Sequence, residues 1–369
     1  MNQRRFTMMT AGPVNISDTV KRSMIYPEIG HREPEFSDLL RSIQKKLLPV
    51  FRANSEEYAA LVINGSGTNG MEAVLVHSVH DGKEVLVISN GAFGERMAEI
   101  CETYRLPLIR LSYKWGESIK LRDVESVLDN NPNLETVAMI FLETSTGMSN
   151  PVHDIGALCR EYDKLFVVDA VSGLAGDPLT VVDDNIDFCF SNTNKCIGAY
   201  PALSFVSVKH SSFKRISDIK PRNYCLDLLK HYDYEHYKAQ TPFTPQIPLF
   251  YMLNQALTEL LEEGIDTRIE RYRQNSILIR ERLARIGFRF QLNPENMSNV
   301  MTNVLIPQRF KYDFFHSGLK ERGYIIYPGK GPLDGIVMHI ANVGTLNTDD
   351  IAVFCDNFEE VLGGRKVEY

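Results

Sequence analysis

Four short stretches of this sequence carry residue types that can do chemistry together if the fold brings them to one place. Lys195 stands in Ser191-Asn192-Thr193-Asn194-Lys195-Cys196-Ile197-Gly198, between the apolar run Ile186–Phe190 and a glycine turn. A lysine removed from water loses its proton readily, and its amine can then form a Schiff base with an aldehyde. Asp169 closes the apolar run Leu165-Phe166-Val167-Val168-Asp169. An ionised carboxylate is costly to bury without a partner. A pyridinium N–H is one such partner, and a ring nitrogen kept protonated makes the ring an electron sink. Gly65-Ser66-Gly67-Thr68 follows the run Ala59–Ile63 and opens an apolar helix. Its glycines allow a tight turn, its free amides point at an anion, and Thr68 adds a hydroxyl. Phe93, in Asn90-Gly91-Ala92-Phe93-Gly94-Glu95-Arg96, is an aromatic between glycines, a shape suited to stacking on a flat ring.

Each stretch has a plainer reading. Lys195 alone is an ordinary loop lysine, Asp169 alone a cap or surface acid at a strand end, and Phe93 alone a core aromatic. The glycine stretch also matches G-x-G-x-x-G through Gly65, Gly67 and Gly70, the pattern of a dinucleotide-binding turn. That reading, a nicotinamide-dependent oxidoreductase, expects an acid at the end of the next strand, where this chain has Ser89-Asn90. The combination of lysine, aspartate and glycine loop favours a phosphate-bearing aldehyde cofactor instead.

These residues need a frame. Strand-like runs at Ala59–Ile63, Glu84–Ser89, Leu106–Leu111, Thr136–Leu142, Leu165–Asp169, Phe188–Ser191 and Ala202–Val208 alternate with helical spacing at Met97–Tyr104, Leu121–Leu128 and Ile155–Tyr162. Strands joined by helical crossovers predict an α/β fold with a mainly parallel sheet flanked by helices, whose carboxyl ends form the ligand crevice. Two long helices at Leu249–Glu263 and Ile265–Ile286 follow. Strand-like Asn303–Ile306, Tyr324–Tyr327 and Gly335–Ile340, with helices at Tyr312–Arg322 and Thr348–Val361, complete a smaller unit. The predicted division is a large domain over residues 1–255, N-terminal arm included, and a small C-terminal α/β domain over 256–369.

Composition narrows the rest. A chain of 369 residues, 44% hydrophobic and with net charge −7, has ordinary globular composition and no basic run to track a nucleic-acid backbone. Met1–Phe6 carries Arg4 and Arg5 with no apolar stretch behind them, unlike a signal peptide, and nowhere do eighteen apolar residues follow one another. Six scattered cysteines without a CxxC pair read as reduced thiols. A cytoplasmic enzyme, without membrane, nucleic-acid or metal partners, is the expectation.

Taken together the motifs resemble the class V branch of fold-type I pyridoxal-phosphate enzymes. The likeness is greatest to the 2-aminoethylphosphonate:pyruvate aminotransferases, with the alanine/serine–glyoxylate aminotransferases near them. It runs from Ala11-Gly12-Pro13-Val14-Asn15 through Gly65–Thr68, Glu143-Thr144-Ser145-Thr146-Gly147, Val168–Ser172 and Ser191–Lys195 to Tyr327-Pro328-Gly329-Lys330. The resemblance implies pyridoxal 5'-phosphate joined to Lys195, which also moves the substrate proton. It places Asp169 on the pyridine nitrogen, Val171 and Phe93 on the two ring faces, and Thr144 beside the phenolic oxygen. Ser66, Gly67 and Thr68 would hold the phosphate. Thr241 and Thr244, in Thr241-Pro242-Phe243-Thr244, would reach across a homodimer interface to complete it. The implied activity is amino transfer from a small aminophosphonate-like amine to an oxo acid such as pyruvate. A lyase acting on a hydroxylated aminophosphonate is the alternative on the same scaffold.

The chain departs from the family at one position. Relatives carry an Arg in the C-terminal strand that grips the substrate anion, and in Val337-Met338-His339-Ile340 the matching residue is His339. A histidine lacks the permanent charge and the fork of a guanidinium. Arg32 and Lys330 are the candidates for a relocated clamp, Arg32 having a local salt bridge as its plainer reading.

Overall fold

The computed structural model describes residues 6–369; Arg4 and Arg5 lie outside the described residues. Its central sheet is built from seven runs, six of them with apolar residues buried on both faces, the pattern of strands covered by helices, and a half-exposed edge strand at Leu108–Ser112. They are β1 (Tyr58–Asn64), β2 (Glu84–Ser89), β3 (Leu108–Ser112), β4 (Leu134–Ile140), β5 (Leu165–Asp169), β6 (Phe188–Asn192) and β7 (Leu203–Lys209), in the order β1-β7-β6-β5-β4-β2-β3. Neighbours are parallel except for β7, which runs antiparallel to both β1 and β6. The carboxyl ends of β1, β2, β4, β5 and β6 therefore emerge along one edge of the sheet, where the four chemical stretches begin.

Side chains alternate between the two faces. Ala60 and Val62 of β1 join a core with Phe36, Leu40, Ile43 and Leu47 of helix Pro34–Val50 and with Phe250, Leu253 and Leu257 of helix Ile247–Glu263. Leu61 and Ile63 face the opposite core, with Met71 and Val74 of helix Gly67–Leu75 and Met97 and Cys101 of helix Ala92–Thr103. This second helix starts five residues earlier than its apolar spacing predicts, because Gly91 and Gly94 interrupt the pattern at its first turn.

A second, three-stranded antiparallel sheet follows: β8 (Met301–Leu305), β9 (Tyr327–Pro328) and β10 (Val337–Ala341), in the order β8-β10-β9. Helices Tyr312–Glu321 and Thr348–Leu362 cover it through Phe315, Phe354 and Phe358. The predicted single strand Tyr324–Tyr327 is two: Tyr324–Ile325 pairs in parallel with Thr7–Met8, and only Tyr327–Pro328 joins β10. Helix Ile265–Arg285 spans both units, with Tyr272 in the large core and Ile279 and Leu283 in the small one. Met9 also packs in the small core. No helix among the described residues is long and apolar enough to cross a membrane.

Candidate active site

Asp169 ends β5 with its side chain 4% exposed, and its Oδ1 accepts from the Val171 amide at 2.7 Å. Burial pushes its carboxyl up to about 7; the Val171 amide opposes this, Glu143 adds to it, and Lys195 and Arg96 pull it back. Lys195 follows β6 and is half-buried, opening onto the cavity. Burial lowers its ammonium to about 8, with Cys196 and Asp169 opposing and Lys330 and Arg96 adding to the fall. Gly12 lets the chain pass close by: a Cβ there would lie 2.9 Å from Lys195 Cδ.

The glycine stretch behaves as its sequence predicts. Gly67 opens helix Gly67–Leu75 after the cap Ser66, whose amide is taken by Asn69 Oδ1 at 2.8 Å. The Gly67 and Thr68 amides are among the four that a helix N-terminus leaves free. A Cβ on Gly67 would come within 3.0 Å of Val171 Cγ2 and 3.6 Å of Asn192 Cβ, so the phosphate-type turn abuts the strand ends that carry Asp169 and Lys195.

Phe93 sits in the first turn of helix Ala92–Thr103, with the Arg96 guanidinium 4.8 Å and the Lys330 ammonium 5.8 Å from its ring centre. Arg96 also donates to Thr68 Oγ1 at 3.3 Å, linking the phosphate-type turn to the aromatic. Beneath them lies Glu143, fully buried, whose Oε2 accepts from the Phe93 and Gly94 amides at 3.1 Å each and whose Oε1 accepts from the Ser145 amide at 3.1 Å. A carboxylate at a helix N-terminus is a favourable arrangement, and here it fixes the turn that carries Phe93. Thr144 and Ser172 share a short hydrogen bond between their hydroxyls.

These elements enclose a cavity of about 190 Å³ lined by Phe93, Thr144, Ser145, Lys195, Tyr327, Lys330 and His339, with Ala11 and Gly12 at one side. Five residues singled out from sequence thus meet at one space; Asp169 is near enough to Lys195 to act on its charge, Gly67 packs against Val171, and Thr68 is tied through Arg96 to Phe93. Arg32, Thr241 and Thr244 do not line it. Arg32 Nη1 donates to Gln240 Oε1 at 3.0 Å and to the Thr241 carbonyl at 2.9 Å. Thr241 Oγ1 donates to the Phe243 carbonyl at 2.7 Å, and Thr244 is exposed. Sequence reasoning gave no role to Glu143, Arg96, Asn192 or Tyr327. Arg96 was discoverable, since it lies one helical turn beyond Phe93.

The donor set fits pyridoxal phosphate. Asp169 has one oxygen committed to the protein and needs a further donor to carry charge, as a pyridinium N–H would supply. Asn192 Nδ2 is buried without a partner next to Gly67. Free helix amides, Thr68 and Arg96 together suit a phosphate, Phe93 suits a ring face, and Lys195 is an amine that sheds its proton near neutral pH.

Comparison with known proteins agrees. The family model for class-V aminotransferases matches residues 19–342. The chain is 31% identical over 359 residues to a 2-aminoethylphosphonate–pyruvate transaminase of Lysinibacillus sphaericus, covering 97% of each. It is also 31% identical to one of Bacteroides fragilis, over 94% of this chain and 96% of the relative. Among solved structures, an alanine–glyoxylate aminotransferase from Nostoc superposes with a TM-score of 0.92 at 26% identity, covering 98% and 96% of the two chains. A ureidoglycine–glyoxylate aminotransferase from Bacillus subtilis gives 0.91 at 27%, covering 98% and 94%.

Proposed function

We propose that this chain, which belongs to the class-V aminotransferase family and is a pyridoxal-phosphate-dependent aminotransferase of fold type I, moves an amino group from a small 2-aminoethylphosphonate-like amine to an oxo acid such as pyruvate. What supports the site assignment is a cavity lined by a half-buried, readily deprotonated Lys195, with buried Asp169 near enough to act on its charge and the Gly67 turn packed against Val171. The donor is supported by the names of the relatives matched over nearly the whole chain.

Bound pyridoxal phosphate supplies an aldehyde for the lysine and an electron sink for the substrate carbon. In this reading Ser66, Gly67 and Thr68 hold its phosphate with help from Arg96. Asp169 faces its ring nitrogen, Val171 and Phe93 its two faces, and Thr144 its phenolic oxygen. Lys195 Nζ would take the proton from the amine-bearing carbon and pass it to the cofactor, its lowered proton affinity leaving it free to act as a base near neutral pH. Glu143 holds the Phe93 turn rigid, so that orientation costs no reorganisation during reaction. An oxo acid then enters the same cavity and the steps run in reverse.

The reading extends to a cytoplasmic homodimer with shared active sites, in which Thr241 and Thr244 serve the partner's phosphate site. The exposure of Thr244 is consistent with that. It also divides the chain into a large unit, residues 1–255, and a small one, 256–369, joined by helix Ile265–Arg285.

A panel of amino donors tests it, each mixed with the enzyme and followed by the spectral change to the pyridoxamine form. An aminophosphonate should convert the enzyme only stoichiometrically until an oxo acid is added. Ammonia release without any oxo acid would instead favour a lyase.

A further inference from the structure

A lysine that moves a proton must stand at one place, and its chain neighbours set that place. Cys196, the next residue, is held at both polar ends. Its Sγ donates to the Ser172 carbonyl at 3.3 Å, and its carbonyl accepts from Arg268 Nη1 at 3.0 Å. The turn closes on itself through the Gly198 amide, which donates to the Lys195 carbonyl at 3.0 Å. On the Arg268 side, Ile197 and Gly198 border a cavity of about 280 Å³, so apolar packing does not close that flank. The guanidinium contact holds it instead.

Arg268 is itself firmly set. It is 7% exposed, and its Nε donates to Glu263 Oε2 at 2.7 Å. Glu263 ends helix Ile247–Glu263, and Gly264, at a φ of 87°, turns the chain at once into helix Ile265–Arg285. The carboxylate is thereby folded back beside residues 268 and 271, which lie on one face of the new helix. Its Oε1 accepts from Arg271 Nε at 2.7 Å, and Arg271 Nη1 donates to the carbonyls of Gly344 at 3.1 Å and Leu346 at 2.6 Å. Leu346 packs in the small core. A planar, permanently charged fork suits a place where one side chain must hold a carboxylate and a carbonyl together.

We propose that Arg268 is a positioning residue for Lys195: it holds the Cys196 carbonyl and so fixes where the lysine amine stands, and it shares Glu263 with Arg271, which ties that place to the small unit. The catalytic consequence rests on the reading of Lys195 as the base that moves the substrate proton. The positional claim stands apart from that reading, and the two are tested separately.

The position is read in the full-length chain without cofactor. Lysines are methylated with formaldehyde and cyanoborohydride across a range of pH, and the mass gained is followed on the peptide containing Lys195. Burial holds this ammonium down to about 8 against an ordinary 10.5, so labelling in wild type should rise with a midpoint near 8. Arg268→Lys keeps the charge but loses the fork, and the midpoint should climb by about one pH unit or more as the amine gains water. Asp169, Cys196, Lys330 and Arg96, the groups that act on this amine, are unchanged, so the climb reads position. Arg273→Met, which breaks an exposed ion pair with Glu270 on the same helix, should leave the midpoint in place.

The consequence is read in the loaded enzyme as a single turnover of the preferred donor. Arg268→Lys should slow it by about tenfold to a hundredfold, with the half-saturating donor concentration within about twofold of wild type. Deuterium on the amine-bearing carbon should slow the variant at least as much as wild type. A wild-type midpoint or a wild-type rate in Arg268→Lys, whatever its melting temperature, overturns the proposal. If the midpoint climbs but no amine reacts in wild type, the aminotransferase reading fails and the positional claim stands.

Discussion

Asp169 shows what one buried residue asks of its surroundings. Its carboxyl titrates at about 7 in the fold against an ordinary 3.8, with burial the main cause. Because the folded value is raised, the penalty is fully present above pH 7 and shrinks as the pH falls toward 3.8. In the cofactor-free protein, Asp169→Asn should therefore raise the melting temperature at about pH 8, by an amount worth a few kcal/mol. The gain should shrink toward pH 5, as thermal denaturation at both pH values would read. With cofactor bound the order should reverse, since the ring N–H then pairs with the carboxylate. Lys195→Ala should lower kcat by at least about a thousandfold, the scale of a lost proton-transfer group, measured as pyruvate-dependent turnover of the preferred donor. At this scale the sequence was informative: a lysine after an apolar strand and an aspartate closing one are unusual enough together to stand out. Glu143 was not legible, because a buried carboxylate that serves three backbone amides is recognisable only once those amides are in place.

The elements decide how finely these residues are held. Helix Ala92–Thr103 lies so close to the end of β2 that a Cβ on Gly94 would stand 2.8 Å from Ser89 Cα and 2.6 Å from its Cβ. Gly94→Ala must push the helix outward, carrying Phe93 and Arg96 with it. It should cost about 1–3 kcal/mol in stability, as overpacking does, and weaken cofactor binding in equilibrium titration; unchanged affinity would separate this helix from the site. The fold was legible where period and length agree, so β2 and β5 match their predicted spans residue for residue. The direction of β7 was harder to see, because a strand buried on both faces reads alike in either sense. Its signal is the short 193–202 connection from β6, too brief for the crossover a parallel neighbour needs. The pairing of Thr7–Met8 with Tyr324–Ile325 joins segments some three hundred residues apart, and nothing local announces it.

Across the whole molecule, the cavity draws on both units: Phe93, Thr144 and Lys195 from the strand ends of the large sheet, Lys330 and His339 from the small one. Helix Ile265–Arg285, packed into both cores, fixes their relation. The proposed homodimer adds a further dependence. Thr244→Ala should raise the cofactor dissociation constant by about tenfold, one hydrogen bond to a charged group, while sedimentation shows the dimer intact. The same loss in a monomer would argue that Thr244 acts within its own chain. The claim common to every scale is that Lys195 carries the cofactor, and borohydride reduction tests it most directly. Protein mixed with pyridoxal phosphate is reduced, digested and weighed peptide by peptide. The visible absorbance should bleach and a phosphopyridoxyl mass should appear on the peptide containing Lys195. A cofactor fixed to another lysine, or to none, would contradict it.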